Sequence, residues 1–73
     1  MGIAPTFNDL GDWLALKPEG YFIISRWGTG WAITIRRTGC PLETILCKTP
    51  AETNAARLKL SDEGLCGYVG GSL

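Results

Sequence analysis

Two runs of apolar residues on either side of a glycine-rich segment dominate the hydrophobic pattern of this chain. Residues 21–27 and 31–37 are rich in β-branched and aromatic side chains, and Gly-Thr-Gly lies between them at 28–30. This pattern predicts a β-hairpin. A three-residue loop that ends in glycine suits a type I turn closed by a left-handed residue, because glycine takes positive φ without a Cβ clash. Such a loop sets Trp27 opposite Trp31.

This register assigns the side chains of the hairpin to two faces of a sheet. One face carries Tyr21, Ile23, Trp27, Trp31, Ile33 and Ile35, and the other carries Phe22, Ile24, Arg26, Ala32, Thr34 and Arg36. The first strand is therefore apolar on both faces, while helices on one side of the sheet cover only one of them. We expect Phe22 and Ile24 to form an exposed apolar patch flanked by Arg26 and Arg36.

Helical signals precede the hairpin. Thr6 and Asp9 match a capping box, and apolar residues then recur at helical spacing as far as Leu14. The residue before a proline is pushed out of helical geometry. The sequence therefore predicts a first helix that begins after Thr6 and ends near Leu16, before Pro18.

A strand and a second helix are predicted after the hairpin. Residues 42–48 form the strand, and neither of its faces is clearly polar, so its orientation stays open. Thr49 caps the helix, the next residue is a proline that pre-sets φ, and Glu52 reaches back to the amide of the cap. Gly64 ends the helix in the left-handed conformation. Residues 65–69 predict a short edge strand.

The elements together predict an α+β fold of a single domain. Their order is α-β-β-β-α, with a three-stranded antiparallel sheet and both helices on one face. The domain spans residues 1–73, and we expect residues 1–5 and 70–73 to fray.

The order of elements resembles that of the double-stranded-RNA-binding domain, over about residues 5–62. Residues 31–37, Trp-Ala-Ile-Thr-Ile-Arg-Arg, are similar to the second strand of that family, and residues 49–58 to the start of its last helix, with a hydroxyl cap and packed alanines. The resemblance implies the α-β-β-β-α fold. In that family lysines in the first turn of the last helix make most RNA contacts, but residues 50–52 are here proline, alanine and glutamate. The resemblance therefore implies topology and packing rather than RNA binding.

The amino-acid composition limits which chemical functions the chain can perform. The chain has seven basic residues, seven acidic residues and no histidine, so its net charge gives no overall attraction to nucleic acid or anionic membranes. A serine or cysteine nucleophile would lack its usual base. Cys40, Cys47 and Cys66 show no C-x-x-C spacing, which favours free thiols in a cytoplasmic protein. We expect no catalysis, no cofactor, no metal site and no membrane segment.

Binding to another protein is therefore the expected function. The candidate residues are Phe22, Ile24, Arg26, Arg36, Trp27 and Trp31, since interfaces are enriched in aromatic residues and arginine. A short, neutral, aromatic-rich chain suits an inhibitor or accessory factor. Small phage proteins that act against host defences, anti-CRISPR proteins among them, are of this kind.

Two alternatives remain open. In the first, the chain is a nucleic-acid-binding module that uses a basic sheet face formed by Arg26, Arg36, Arg37 and Lys48. Such binding weakens steeply with salt, because phosphate contacts release counterions. In the second, the chain self-associates through an exposed edge of the strand 21–27.

Overall fold

A computed structural model describes residues 6–16 and 19–70. These residues form five strands and two helices: β1 (Thr6–Phe7), α1 (Leu10–Ala15), β2 (Tyr21–Trp27), β3 (Gly30–Arg36), β4 (Glu43–Cys47), α2 (Pro50–Asp62) and β5 (Cys66–Val69). The strands make one mixed sheet in the order β1-β5-β2-β3-β4. The α+β class is confirmed. The predicted three-stranded antiparallel sheet is wrong, because β1 and β5 add two strands through parallel pairing.

The last strand, β5, lies inside the sheet rather than at its edge. It pairs parallel with β2, where Gly67 lies beside Phe22, and parallel with β1, where Tyr68 lies beside Phe7. The prediction of an edge strand at 65–69 was therefore wrong in position. It also follows that β2 has a neighbour on each side. The free edge expected at this strand does not exist, and the sheet ends at β1 and β4.

The predicted hairpin is present, but its register differs by one residue. Arg26 lies beside Trp31, and the loop between the strands consists of Gly28 and Thr29. Gly28 has a φ of 59°, a left-handed conformation that two-residue hairpin loops favour. The predicted pairing of Trp27 with Trp31 is therefore wrong, and the two indoles lie on opposite faces of the sheet.

This shift of one residue decides which side chains form the core. Phe22 pairs with Ile35 and Ile24 pairs with Ile33, and all four side chains are at most 1% exposed. Helix α2 covers their face and contributes Leu60 to the same cluster. The expectation that Phe22 and Ile24 form an exposed patch is wrong, because these two residues lie at the centre of the core.

Helix α1 lies on the other side of the sheet. Its buried residue Trp13 contacts Tyr21 edge-to-face, with ring centroids 5.3 Å apart, and Tyr68 at 5.5 Å. Tyr21 precedes Phe22 in the same strand, and successive side chains of a strand point to opposite faces. The prediction that both helices share one face is therefore wrong.

The start of α1 also differs from the prediction, whereas its end agrees. Asp9 is the N-cap, and its carboxylate accepts from the amide of Asp12 at 3.1 Å. Thr6, the predicted cap, lies in β1. The helix ends with Leu16 as the C-cap, as predicted. Residues 17–18, with the proline that was expected to stop the helix, lie outside the described residues.

The start of α2 is confirmed. The hydroxyl of Thr49 accepts from the amide of Glu52 at 3.1 Å, and Pro50 is the first helical residue. The carboxylate of Glu52 accepts from the amide of Lys48 at 2.8 Å, one residue before the amide that we expected. Two backbone donors, the amide of Lys48 before the helix and the amide of Glu52 in its first turn, are thus satisfied by nearby side chains.

The end of α2 is the predicted left-handed turn. Gly64 has a φ of 91° and donates to the carbonyl of Ser61 at 2.9 Å, while Leu65 donates to the carbonyl of Leu60 at 3.2 Å. This pair of hydrogen bonds defines the Schellman motif. Because Leu60 and Leu65 are both core residues, the motif also directs the chain from α2 into β5.

The third predicted strand is present and slightly shorter than expected, at Glu43–Cys47. Of the segments predicted to fray, residues 1–5 and 71–73 lie outside the described residues. Gly70, which belongs to the second segment, is held by a hydrogen bond from its amide to the carbonyl of Ile24 at 2.8 Å.

Candidate functional site

The sheet face opposite α2 is only partly covered. Helix α1 lies against β5 and β1 at one side of the sheet. The surface over β2, β3 and β4 contains a shallow depression of about 300 Å³. We call this surface the open face and define it by the six residues that line the depression: Ser25, Trp27, Ala32, Thr34, Thr44 and Leu46.

The strand register explains why these residues come together. Ala32 lies between Ser25 on β2 and Leu46 on β4, and Thr34 lies beside Thr44. Paired residues of neighbouring strands project from the same face. The same strand register therefore places these residues on the open face and the core residues on the opposite face.

The depression results from a difference in side-chain size. Ala32 is small and forms part of the lining at the centre of the sheet, whereas Trp27 and Leu46 are large and lie in the two strands that flank it. Trp27 is 65% exposed and Leu46 is 64% exposed. Two large, solvent-exposed apolar side chains therefore flank the depression at Ala32.

The lining combines apolar groups with hydroxyl groups. Trp27, Ala32 and Leu46 supply the apolar part, and one serine and two threonines supply donors and acceptors. None of the six lining residues is ionisable. This surface suits an apolar side chain with neighbouring hydrogen-bonding groups, and it offers no cation to a phosphate.

Two of the six residues predicted to bind a partner lie on the open side of the sheet. Trp27 lies next to the hairpin loop, and Arg36 lies at the other end of β3, beside Tyr21. Arg36 is exposed. The two side chains share a face but not a position along the strands.

The other four predicted residues lie on the α2 side. Phe22 and Ile24 are core residues, and Trp31 is buried beside them. The guanidinium of Arg26 lies 4.8 Å from the centroid of the Trp31 ring, which is a cation–π contact. Trp31 Nε1 is buried without a hydrogen-bond acceptor among the described residues. The structure thus divides the predicted partner-binding set between two faces.

Of the six lining residues, sequence reasoning named only Trp27. It missed Ser25, Ala32, Thr34, Thr44 and Leu46. The predicted register placed Ala32 and Thr34 on the face opposite Trp27. The orientation of the third strand was ambiguous because both of its faces are mixed, so Leu46 could not be assigned to a side. Ser25 did carry a usable signal. It lies two positions before Trp27, and the period of two in a strand places both on one face whatever the register of the hairpin.

The basic residues do not form the expected common face. Arg26 pairs with Trp31 on the α2 side of the sheet, whereas Arg36 pairs with Tyr21 on the opposite side. The prediction that the two arginines share a face is therefore wrong. Lys48 follows the end of β4 near the hairpin loop, far along the strands from Arg36. The charged groups of Arg26, Arg36 and Lys48 therefore lie in different parts of the surface.

Arg37, the fourth predicted basic residue, is engaged by two carboxylates. It donates to Glu43 at 2.9 Å and to Glu63 at 3.0 Å. The hydrogen bond from Arg37 lowers the pKa of the Glu63 carboxyl below its ordinary value. The same bond raises the pKa of Arg37. This cluster connects the β3–β4 turn to the end of α2.

Within residues 6–16 and 19–70 no group of three or more histidine, cysteine or acidic side chains is arranged to hold a metal ion. In the same residues no helix is long and apolar enough to cross a membrane. The three cysteines are free thiols, with Cys40 exposed, Cys47 buried and Cys66 half-buried.

Comparison with known proteins found no match to this chain among protein-family models, curated proteins or solved structures. An inference about function therefore depends on the open face itself.

Proposed function

We propose that this protein is a non-enzymatic binding protein that recognises another protein through its open face. One observation carries the proposal: Trp27 and Leu46, both about two-thirds exposed, flank a depression lined by no ionisable residue. Aromatic residues are enriched in protein interfaces, and charged residues are depleted at interface centres. A tryptophan so exposed beside a leucine gains apolar burial only when something covers it.

The polar groups of the open face fit the same proposal. The hydroxyls of Ser25, Thr34 and Thr44 supply hydrogen bonds around the apolar residues. An interface typically has about one hydrogen bond per 100–200 Å² of buried area, so a partner surface needs a few such groups. Trp27 is the proposed anchor, since a few residues, often tryptophan, dominate binding energy.

The alternative, nucleic-acid binding, is less well supported. Arg26 and Arg36 lie on opposite faces, and Arg37 is neutralised by Glu43 and Glu63. Phosphate binding relies on cations that act together along a backbone. We therefore favour a protein partner. The form of this function that we propose is an inhibitor or accessory factor, such as a small phage protein of the anti-CRISPR kind.

The test compares wild-type protein with Trp27→Ser. A partner captured with the wild type is purified, and its affinity for both proteins is measured by calorimetry. Loss of the anchor is expected to weaken binding by about thirtyfold or more, which corresponds to at least about 2 kcal/mol. Trp27 is mostly exposed, so thermal stability should change little.

Leu58→Ser is the matched control. Leu58 is an exposed apolar residue of α2, away from the open face, and its loss should leave affinity unchanged. Equal binding by wild type, Trp27→Ser and Leu46→Ser would contradict the proposal. Titration with duplex RNA and DNA at low and moderate salt tests the alternative. Salt-sensitive binding that is lost in Arg36→Ala and Lys48→Ala would support that alternative instead.

A further inference from the structure

Among the described residues, β4 is the longer of the two edge strands of the sheet. The sheet order ends at β4 on one side and at β1 on the other. β4 has five residues, whereas β1 has two. An edge strand carries backbone N–H and C=O groups without strand partners on its outer side, and the natural partner for such a row is another extended strand.

The edge of β4 lacks the features that usually prevent strand pairing. Its five residues pair with β3 one by one without a bulge, and they include no lysine and no proline. Leu42, Ile45 and Leu46 are exposed apolar residues in or next to the strand. Glu43 is the one charged residue of the strand, and its carboxylate is bound by Arg37 of the same chain.

We propose that a second copy of this chain pairs with β4 antiparallel, about a two-fold axis at Ile45. A two-fold axis perpendicular to the sheet maps each face onto itself, so paired residues must come from the same face. A register centred on Ile45 meets this condition and pairs all five residues. Ile45 then lies beside its own symmetry mate, and Thr44 lies beside Leu46 of the second copy.

Charge supports a second copy as the occupant. In this register Glu43 lies beside Cys47 of the second copy, so no like charges face each other across the strands. The whole chain has a net charge of zero, and two copies therefore do not repel each other at long range. The pairing uses the backbone of β4 and does not depend on the proposed function of the open face.

The first measurement is the mass of the wild-type protein in solution. Sedimentation over a series from micromolar to millimolar concentration should show a reversible equilibrium between monomer and dimer. A reducing agent is included throughout, because Cys40 is exposed and could link two chains covalently. A wild-type protein that stays monomeric over the whole series overturns the proposal. This holds even if a different protein is found to add a strand at this edge.

Variants at Ile45 test the register. Ile45 pairs with Ile33 on the α2 side of the sheet, so changing it leaves the open face intact. Ile45→Lys and Ile45→Glu should each weaken the dimer about tenfold or more, because like charges then meet at the axis. An equimolar mixture should restore a dimer. Leu58→Lys, a charge placed on α2, should leave association unchanged.

A dimer that survives in both single variants overturns the proposed axis. Circular dichroism checks that the variants remain folded. Should they unfold, contacts between Ile45 methyl groups of labelled and unlabelled wild-type chains are sought by isotope-filtered NMR. Their absence in a wild-type dimer overturns the register as well.

Discussion

Gly67 is the residue whose small size lets β5 enter the sheet. The ring of Phe22 lies directly over its backbone, and a Cβ at position 67 would overlap that ring. Phe22 is fully buried and has no space into which to move. The side chain missing at one residue therefore allows a close contact between the last strand and the core.

Replacing Gly67 with alanine is expected to destabilise the fold. Overpacking of a filled core costs about 1–3 kcal/mol. The measurement is the free energy of unfolding in urea. The double variant Gly67→Ala, Phe22→Leu, in which the overlapping ring is gone, should lose less stability than the sum of the two single changes. Additive losses would show that the methyl group and the ring do not meet.

At the residue scale the hairpin loop limited what the sequence could predict. Gly28 and Gly30 are two residues apart, so either a two-residue or a three-residue loop offers a glycine for the left-handed position. The positive φ belongs to Gly28. Gly30 is needed for another reason, because a Cβ there would overlap the carbonyl of Cys47 in β4. That second requirement comes from a strand far along the chain and cannot be read from the loop.

At the scale of elements, α2 is the segment that the sequence described best. Its first and last turns are determined by local hydrogen bonds, those of Thr49 and Gly64, and such signals lie within a few residues of each other. The register of the hairpin and the place of β5 depend on distant segments. The limits of α2 were therefore predictable, whereas the faces of the sheet, and with them the open face, were not.

Thr49→Ala is expected to lower the free energy of unfolding by about 1 kcal/mol. The threonine hydroxyl accepts from the amide of Glu52, and alanine leaves that donor without its partner. Thr49→Ser keeps the hydroxyl and should stay close to wild type. The denaturation midpoints of the three proteins provide the measurement, and equal midpoints for alanine and serine would show that the cap contributes nothing.

The ion pair between Arg37 and Glu63 makes stability depend on pH at the acidic end. The folded-state pKa of Glu63 is lowered, so its contribution is present above about 4.5, its ordinary value, and is lost as the pH falls through the lowered folded pKa. Both side chains are more than a third exposed, so solvent screening keeps this contribution small.

Glu63→Gln should therefore be less stable than wild type at neutral pH, and the difference should be smaller at about pH 3, below the ordinary pKa of the carboxyl. Urea midpoints at the two pH values provide the measurement. Glu19→Gln removes the same charge elsewhere and serves as the control. A difference that persists unchanged at low pH would assign the effect to packing rather than to charge.

At the scale of the whole molecule, β5 joins the two ends of the described chain. It lies between β1 and β2 and pairs with both of them, and Trp13 Nε1 donates to the carbonyl of Cys66 at 3.4 Å. Removing this interior strand leaves β1 without its strand partner, leaves one side of β2 unpaired and exposes Phe22. Loss of an edge strand would have a much smaller effect.

A chain that stops after Leu65 is expected to lose cooperative unfolding, whereas a chain that stops after Gly70 keeps all five described strands and should retain it. Thermal melts followed by circular dichroism compare the two. A cooperative transition in the shorter chain would mean that β2, β3, β4 and α2 fold without β5.

The interior position of β5 also has a consequence for the order of events during synthesis. The ribosome makes the hairpin, β4 and α2 before residues 66–69, although β5 must lie against β2, which is made much earlier. Until then Trp13 and Phe22 lack the strand that covers them, and β1 has no partner. Domains generally fold as units as they are made. Before β5 is added, the nascent chain therefore has an unpaired edge on β2. A protease, a chaperone or another growing chain has its best access there.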